Sequence, residues 1–293
     1  MIKIVTDSSS DITIEEAKEL GIIMIPLHIN FEDRSYADGV ELNAEEFFQK
    51  LMSSKKVPTT SQVSPGEYED IFADAKKNGD TLFVMPLSSA LSGSHNTAVM
   101  VKNQGEYDNV TIFQTYATVN ALRLLVIEAN KQKDKMTVEQ LHTHMENFRK
   151  RLRLYACIDT LEYLHKGGRV SKASAMIGGM LNMKPLIIVN PAGEVQNVGK
   201  QIGSNKAVNW IAEQVKNNPI DTNYPLFYQY SVTKDAANRL IDLTSPNPED
   251  SKANSLRSLG PVVGTHVGPG AAAIIYVVKE GVEDKLFMPK TDK

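Results

Sequence analysis

One cysteine, Cys157, stands alone in 293 residues, which excludes a disulfide framework and a thiolate metal cluster. It lies in the apolar run Leu154-Tyr155-Ala156-Cys157-Ile158, where a buried strand thiol is expected and a nucleophile is not. No run approaches the about 18 apolar residues of a membrane span. Basic charge is not in excess either. The 32 Lys and Arg against 35 Asp and Glu leave a net charge of -3, and no long basic run offers itself to nucleic acid. His28, His95 and His165 show no metal-ligand spacing. A Gly-x-Ser-x-Gly elbow is missing. Gly268-Pro269-Gly270 precedes a strand where a dinucleotide fingerprint precedes a helix, and Gly193 to Lys200 has one residue too many for a phosphate loop. Met1 to Thr6 reads as a first strand and not as a signal peptide. What remains is a soluble, cytoplasmic protein without metal or cofactor. Its 42% hydrophobic content suits a sizeable core, and its length suits two domains.

The first half alternates short apolar runs with helical patterns. Ile2 to Thr6, Thr81 to Met85 and Val110 to Phe113 read as strands, and Ile22 to Ile29 is a further apolar run. Capping boxes at Thr13/Glu16 and Asn43/Glu46, and the N-cap pair Ser64-Pro65, open helices; Gly21 and Gly79 close two of them. Further helices are expected over about Val119 to Lys131 and from Thr137. Strands alternating with helices argue for a parallel sheet covered on both faces, an α/β/α domain over residues 1–153. The second half changes character. Leu186 to Val195 reads as a strand, a turn and a returning strand, followed by a helix over about Asn205 to Lys216. The strands Leu226 to Tyr230 and Ala271 to Val278 complete an α+β domain over residues 154–293, with a largely antiparallel sheet.

Three stretches far apart share one composition: Pro58 to Gln62, Ser88 to Ser94 and Thr265 to Gly270. Ordinary loops carry Lys, Glu and Asp. Loops of hydroxyls, glycine and one imidazole suit an anionic head group removed from water, because a buried carboxylate needs several donors. The Ser88 to Ser94 loop sits between a strand and a helix, whose N-terminus favours an anion. Gly93 lets backbone approach a ligand, and Ser92 or Ser94 serves either as a cap or as a binder. His266 is a candidate head-group donor or a structural histidine. His142 and His144 are two apart on one helix and are expected to be solvated. Thr6 to Asp11 follows the first strand and reads equally as a ligand loop or an Asx turn. Asp159 to Ser171 reads as a short helix ended by glycine, with Arg169 a surface anchor or a helix C-terminal cation. Met176, Ile177, Met180, Leu181 and Met183 suit an alkyl chain or ordinary core packing.

Together, Thr6 to Asp11, Pro58 to Gln62, Ser88 to Ser94, Asp159 to Ser171 and His266 to Gly270 resemble, in order, the motifs of the DegV family. Its better-understood members are the fatty acid-binding subunits of bacterial fatty acid kinase. The resemblance implies two domains with one long-chain fatty acid between them, its carboxylate held by Thr60 or Ser61, Ser92, the Gly93 backbone, Ser94 and His266. It also implies a carrier without chemistry of its own, which hides the tail and presents the head to a separate ATP-dependent kinase for acyl-phosphate formation. Arg169 and Lys200 fall on the partner surface. There the chain departs from the family: Ile202 and Ser204 replace basic residues, which weakens the expectation of kinase docking. Gln114-Thr115 stands for a common Asp-Ser pair, and Arg123 for a glycine. Two other readings compete. One is a Ser/His acyl hydrolase or transferase using Ser92 or Ser94 with His266; the other is a carrier of a different amphiphile.

Overall fold

The structure is a computed structural model that describes residues 1–170 and 182–287. The expected alkyl-chain residues Met176, Ile177, Met180 and Leu181 lie outside the described residues. Packing divides the chain into two units: Met1–Asn43 with Pro58–Lys150, and Ala44–Val57 with Arg151–Lys293. The contiguous division expected at residue 153 falls close to the crossover at Arg151. Residues 44–57 nevertheless pack with the second unit.

The first part of the chain runs β1 (Ile2–Asp7), α1 (Ile14–Leu20), β2 (Ile23–Ile25), β3 (His28–Asn30), β4 (Ser35–Ala37) and α2 (Ala44–Ser53). It continues β5 (Thr59–Ser61), α3 (Pro65–Asn78), β6 (Thr81–Met85), α4 (Ser94–Gln104), β7 (Val110–Ile112), α5 (Val119–Gln132) and α6 (Val138–Lys150). Strands β2-β1-β6-β7 form a parallel sheet in that order. Its central strands bury both faces, as a sheet covered by helices requires: Ile4, Val5, Leu82, Phe83 and Val84 are almost inaccessible. Each such side chain contributes about 1.5–3 kcal/mol of burial. The helix signals at Thr13, Gly21, Ser64 and Gly79 are realised. Thr13 with Glu16 and Ser64 with Glu67 make reciprocal capping boxes, and Gly21 and Gly79 close α1 and α3 at φ 63° and 70°.

Local expectations are corrected at several places. Pro58 to Gln62 is not a loop: Thr59–Ser61 is a strand paired antiparallel with β3, which also pairs with β4 in a small separate sheet. Pro26 divides the Ile22 to Ile29 run between two sheets. His142 and His144 are half-buried, not solvated. His144 Nε2 bonds Glu128 at 2.8 Å, and the His142 ring stands edge-on to Phe113.

The rest of the chain runs β8 (Leu152–Cys157), α7 (Glu162–Lys166), β9 (Met183–Val189), β10 (Val195–Ile202), α8 (Ser204–Asn217) and β11 (Phe227–Tyr230). Then come α9 (Asp235–Thr244), α10 (Pro248–Asp250), β12 (Leu256–Ser258), α11 (Pro261–Val267) and β13 (Ala272–Val277). The second sheet has the order β10-β9-β8-β13-β11-β12, antiparallel except between β11 and β12. Helices α8 and α9 bury Val208, Ile211, Leu240 and Ile241 against Tyr155, Ile188, Ile274 and Tyr276. Cys157 is buried in β8, where desolvation pushes its thiol up to about 11, away from nucleophilic use. The third hydroxyl stretch is only partly a loop, since Thr265 and His266 lie in the last turn of α11 and Gly268 to Gly270 form the turn after it. Pro261 at the helix start presets φ and offsets the β-branched Val262 and Val263. Gly264 makes α11 a docking site for α2, because a Cβ there would stand 2.8 Å from Phe47 Cε1 and 3.0 Å from Phe48 Cζ. That contact explains why residues 44–57 belong to this unit.

Candidate anion-binding site

In the parallel sheet, β2 lies on one side of β1 and β6 on the other. Ligands of such sheets collect beyond the carboxyl ends of the strands where the order reverses, here β1 and β6. The segment after β1 is framework. Asp7 accepts from Ser9 N at 3.1 Å and from Ser9 Oγ with one oxygen, and from Leu87 N at 2.8 Å with the other. Burial pushes its carboxyl up, opposed by those same bonds. Ser8 Oγ donates to Asp38 at 2.8 Å and accepts from Leu27 N at 3.0 Å, and Ser10 Oγ donates to the Asp7 carbonyl at 2.9 Å. The serines of Thr6 to Asp11 are thus committed to partners within the turn or, for Ser8, to Leu27 and Asp38, and Asp7 ties the ends of β1 and β6 together.

The loop after β6 is arranged differently. Leu91 N and Ser92 N both bond the Ser88 carbonyl, a turn that delivers Gly93 to the N-cap of α4. No side chain caps this helix, and among the described residues the amides of Gly93, His95 and Asn96 carry no hydrogen bond. An uncapped first turn offers donors and a favourable field to an anion. Ser92, half-exposed, stands beside it, its Oγ accepting from Ser94 N at 3.2 Å and lying 3.0 Å from Ser94 Oγ. Ser94 itself is fully buried, and its Oγ accepts from Val63 N at 3.2 Å.

The end of β5 is stitched to this helix start. Gln62 Nε2 donates to Thr97 Oγ1 at 2.7 Å, and its Oε1 occupies the space a Cβ on Gly93 would need. Thr60 is half-buried; Ser61 is exposed and accepts from Asn30 Nδ2 at 2.8 Å. The first unit therefore joins Gln62 and Val63, which follow Thr60 and Ser61 in the chain, to the Gly93 and Ser94 start of α4. Gln62, Asp7 and Gln114 support it: all three lie in stretches marked in the sequence, but none of them was expected to be a site residue. Gln114 and Thr115 hold the same loop. Gln114 Oε1 accepts from Ser89 N at 3.3 Å and its Nε2 donates to Ser89 Oγ, while Thr115 Oγ1 donates to the Pro86 carbonyl at 2.7 Å.

In the second unit His266 lies in the last turn of α11 against α7. A Cβ on Gly167 would overlap His266 Nδ1, so only glycine admits the ring. Desolvation and then the Arg169 cation pull the imidazole down to about 4, leaving it neutral at ordinary pH. Arg169 Nη1 donates to the Gly167 carbonyl at the end of α7, which matches one of the two roles open to it from sequence, the helix C-terminal cation. Gly268 and Gly270, at φ 75° and 80°, pass against the Tyr163 ring and the Asp159 carboxylate. Ser231 Oγ closes that turn, donating to the Gly268 carbonyl at 3.0 Å and accepting from Ala271 N at 2.8 Å. The structure thus brings Asp159 to Arg169 together with His266 to Gly270. Lys200 is exposed on β10, Ile202 is 63% exposed at its end, and Ser204 opens α8. Among the described residues no His, Cys, Asp and Glu cluster is placed to hold a metal ion, and no helix is long and apolar enough to cross a membrane.

Residues 1–279 match the family described as "Uncharacterised protein, DegV family". The chain belongs to the DegV family. It is 32% identical over 279 residues to a DegV domain-containing protein of Caldanaerobacter subterraneus subsp. tengcongensis, covering 95% of this chain and 99% of that one. A second relative, from Deinococcus radiodurans, is 31% identical and covers 93% and 97%. Among solved DegV structures, a Thermus thermophilus protein described by its fatty acid binding superposes with a TM-score of 0.81 at 27% identity, covering 94% and 99%. The Bacillus subtilis DegV, described as a fatty acid binding protein, gives 0.79 at 26%, covering 95% and 99%. A fatty acid binding DegV protein from Streptococcus agalactiae gives 0.84 at 25%, covering 96% and 99%.

Proposed function

We propose that this DegV protein binds one long-chain fatty acid and acts as its carrier. The observation that carries the reading is the N-terminus of α4, where the amides of Gly93, His95 and Asn96 carry no hydrogen bond among the described residues and the Ser92 hydroxyl stands beside them. Such a site favours an anion through backbone donors and the helix field. Fatty acid binding by the Thermus, Bacillus and Streptococcus relatives supports a carboxylate as that anion. In this reading Ser92 and the Gly93 amide are head-group donors, and the Thr60 and Ser61 hydroxyls flank them. Neutral His266 is the corresponding donor that the second unit offers. Most affinity comes from the tail, at about 0.8 kcal/mol per buried methylene, and the polar groups set orientation.

The protein presents the carboxylate and performs no chemistry itself; a separate kinase forms the acyl phosphate. Arg169 and Lys200 belong to the surface that kinase reads. Exposed Ile202, with Ser204 at the start of α8, makes that docking weak or altered. Native mass spectrometry of freshly purified protein, followed by solvent extraction, tests the carrier reading: a one-to-one fatty acid adduct is expected. An empty protein that also ignores added fatty acid overturns it. Steady turnover of acyl esters that Ser92→Ala abolishes would instead establish an acyl hydrolase. Phosphorylation of the bound acid at full rate by a kinase partner would refute altered docking.

A further inference from the structure

We propose that Ser94 is a positioning residue: it aims the Ser92 proton outward and does not itself touch the ligand. The inference rests on the anion-binding reading of the α4 N-terminus and assigns the two serines different roles there.

The argument is one of hydrogen-bond direction. A serine hydroxyl has one proton to donate. Ser94 Oγ is fully buried and has two hydrogen-bonding neighbours among the described residues, the Val63 amide at 3.2 Å and Ser92 Oγ at 3.0 Å. The Val63 N–H can only donate, so the Ser94 proton has one acceptor within reach, Ser92 Oγ. If Ser92 donated to Ser94 instead, the Ser94 proton would be buried with nothing to accept it, the arrangement proteins avoid. The order is therefore Val63 N–H to Ser94, and Ser94 O–H to Ser92. Ser92 Oγ already accepts from Ser94 N at 3.2 Å. With two donors pointing at its oxygen, its own proton is left to face the half-exposed side, beside the free Gly93 amide. A hydroxyl so fixed presents a donor where a carboxylate needs one and has no acceptor orientation to spend. The chain of bonds also polarises each link in the same sense.

The test is a double-mutant cycle read by oleate titration of the intact protein after delipidation. Wild type, Ser92→Ala, Ser94→Ala, the double variant and Ser94→Thr are compared. Loss of one such bond weakens binding by about tenfold. Ser92→Ala and Ser94→Ala are each expected to do so, and the double variant to bind no more weakly than Ser92→Ala. Ser94→Thr, which keeps the hydroxyl, is expected to bind like wild type. Thermal unfolding without ligand reads the lost Val63 bond separately. Should Ser94→Ala fail to fold, Ser94→Cys, a weaker donor of similar size, is expected to give a smaller loss that also vanishes without Ser92. Additive losses in the cycle, or undiminished binding by Ser94→Ala, overturn the proposal. Wild-type protein that binds no oleate overturns the fatty acid reading itself.

Discussion

The Gln62 carboxamide lies against Gly93, with Oε1 filling the place of a missing Cβ and Nε2 bonded to Thr97 Oγ1 at 2.7 Å. The amide spans the first turn of α4, since Thr97 N is also the first amide to bond the Gly93 carbonyl, at 2.9 Å. Gly93 has φ -75°, open to any residue, so space and not backbone strain requires glycine here.

Gly93→Ala is therefore expected to displace Gln62, break the Thr97 bond and loosen the joint between β5 and α4. The bond is worth about 0.5–1.5 kcal/mol, so fatty acid affinity should fall about three- to tenfold. Adding Gln62→Ala to Gly93→Ala relieves the overlap and should recover part of the loss. Titration of the two single variants and the pair checks this; a pair that binds more weakly than Gly93→Ala would sink the idea.

Arg123 stands where the family resemblance expects glycine, and the structure gives it a task. Its guanidinium is nearly inaccessible, donates to the Asp11 carbonyl at 2.8 Å and pairs with Glu16. Asp11 has φ 55° at the end of the turn after β1, so Arg123 ties α5 to a left-handed residue beside the sheet ends. Restoring the family residue with Arg123→Gly should destabilise by about 3 kcal/mol. It removes a largely buried partner of Glu16 and puts glycine into a helix interior. Arg123→Lys keeps the charge without the fork and should lose less. Urea unfolding midpoints of the two variants give the comparison.

Much of this architecture is legible in local chemistry. The Thr13/Glu16 box, the Ser64-Pro65 start and the glycine stops act within one helical turn, so residue spacing alone reveals them. Asn190-Pro191-Ala192-Gly193 likewise announces the turn between β9 and β10. Other features depend on partners far along the chain. Phe47 and Phe48 say that α2 has a face to bury, but Gly264, more than two hundred residues on, decides against what. Thr59-Thr60-Ser61 becomes a strand only because β3 offers an edge. The hydroxyl stretches were visible as candidates. Which hydroxyls are spent inside the protein was not, because Ser8 and Ser94 differ from Ser92 in their neighbours and not in their chemistry.

Asn120 at the start of α5 is fully buried, and neither of its amide atoms has a hydrogen-bond partner among the described residues. An amide removed from water without compensation costs about 1–3 kcal/mol. Leucine has nearly the same shape and no polar atoms. Asn120→Leu is expected to raise stability by a similar amount, measured as an increase in the urea midpoint at unchanged slope. A lower midpoint would show that the amide meets a partner which the buried packing conceals.

His266 sets the pH dependence of the second unit. Its folded value is depressed to about 4 from 6.5, first by burial and then by Arg169. Between those values the unfolded chain binds a proton that the folded chain refuses, so stability rises with pH across this window. The contribution is complete above 6.5, is lost progressively as pH falls toward 4, and amounts to at most about 3 kcal/mol. Bound carboxylate should narrow the window, because an anion beside the ring favours imidazolium and lifts its value toward 6.5. His266→Asn should flatten the pH profile of the ligand-free protein between 4 and 6.5 and remove the difference between ligand-free and loaded forms. Unfolding midpoints measured at half-unit pH steps, with and without oleate, decide it. Coincident profiles for loaded and ligand-free wild type would mean that the imidazole does not face the anion.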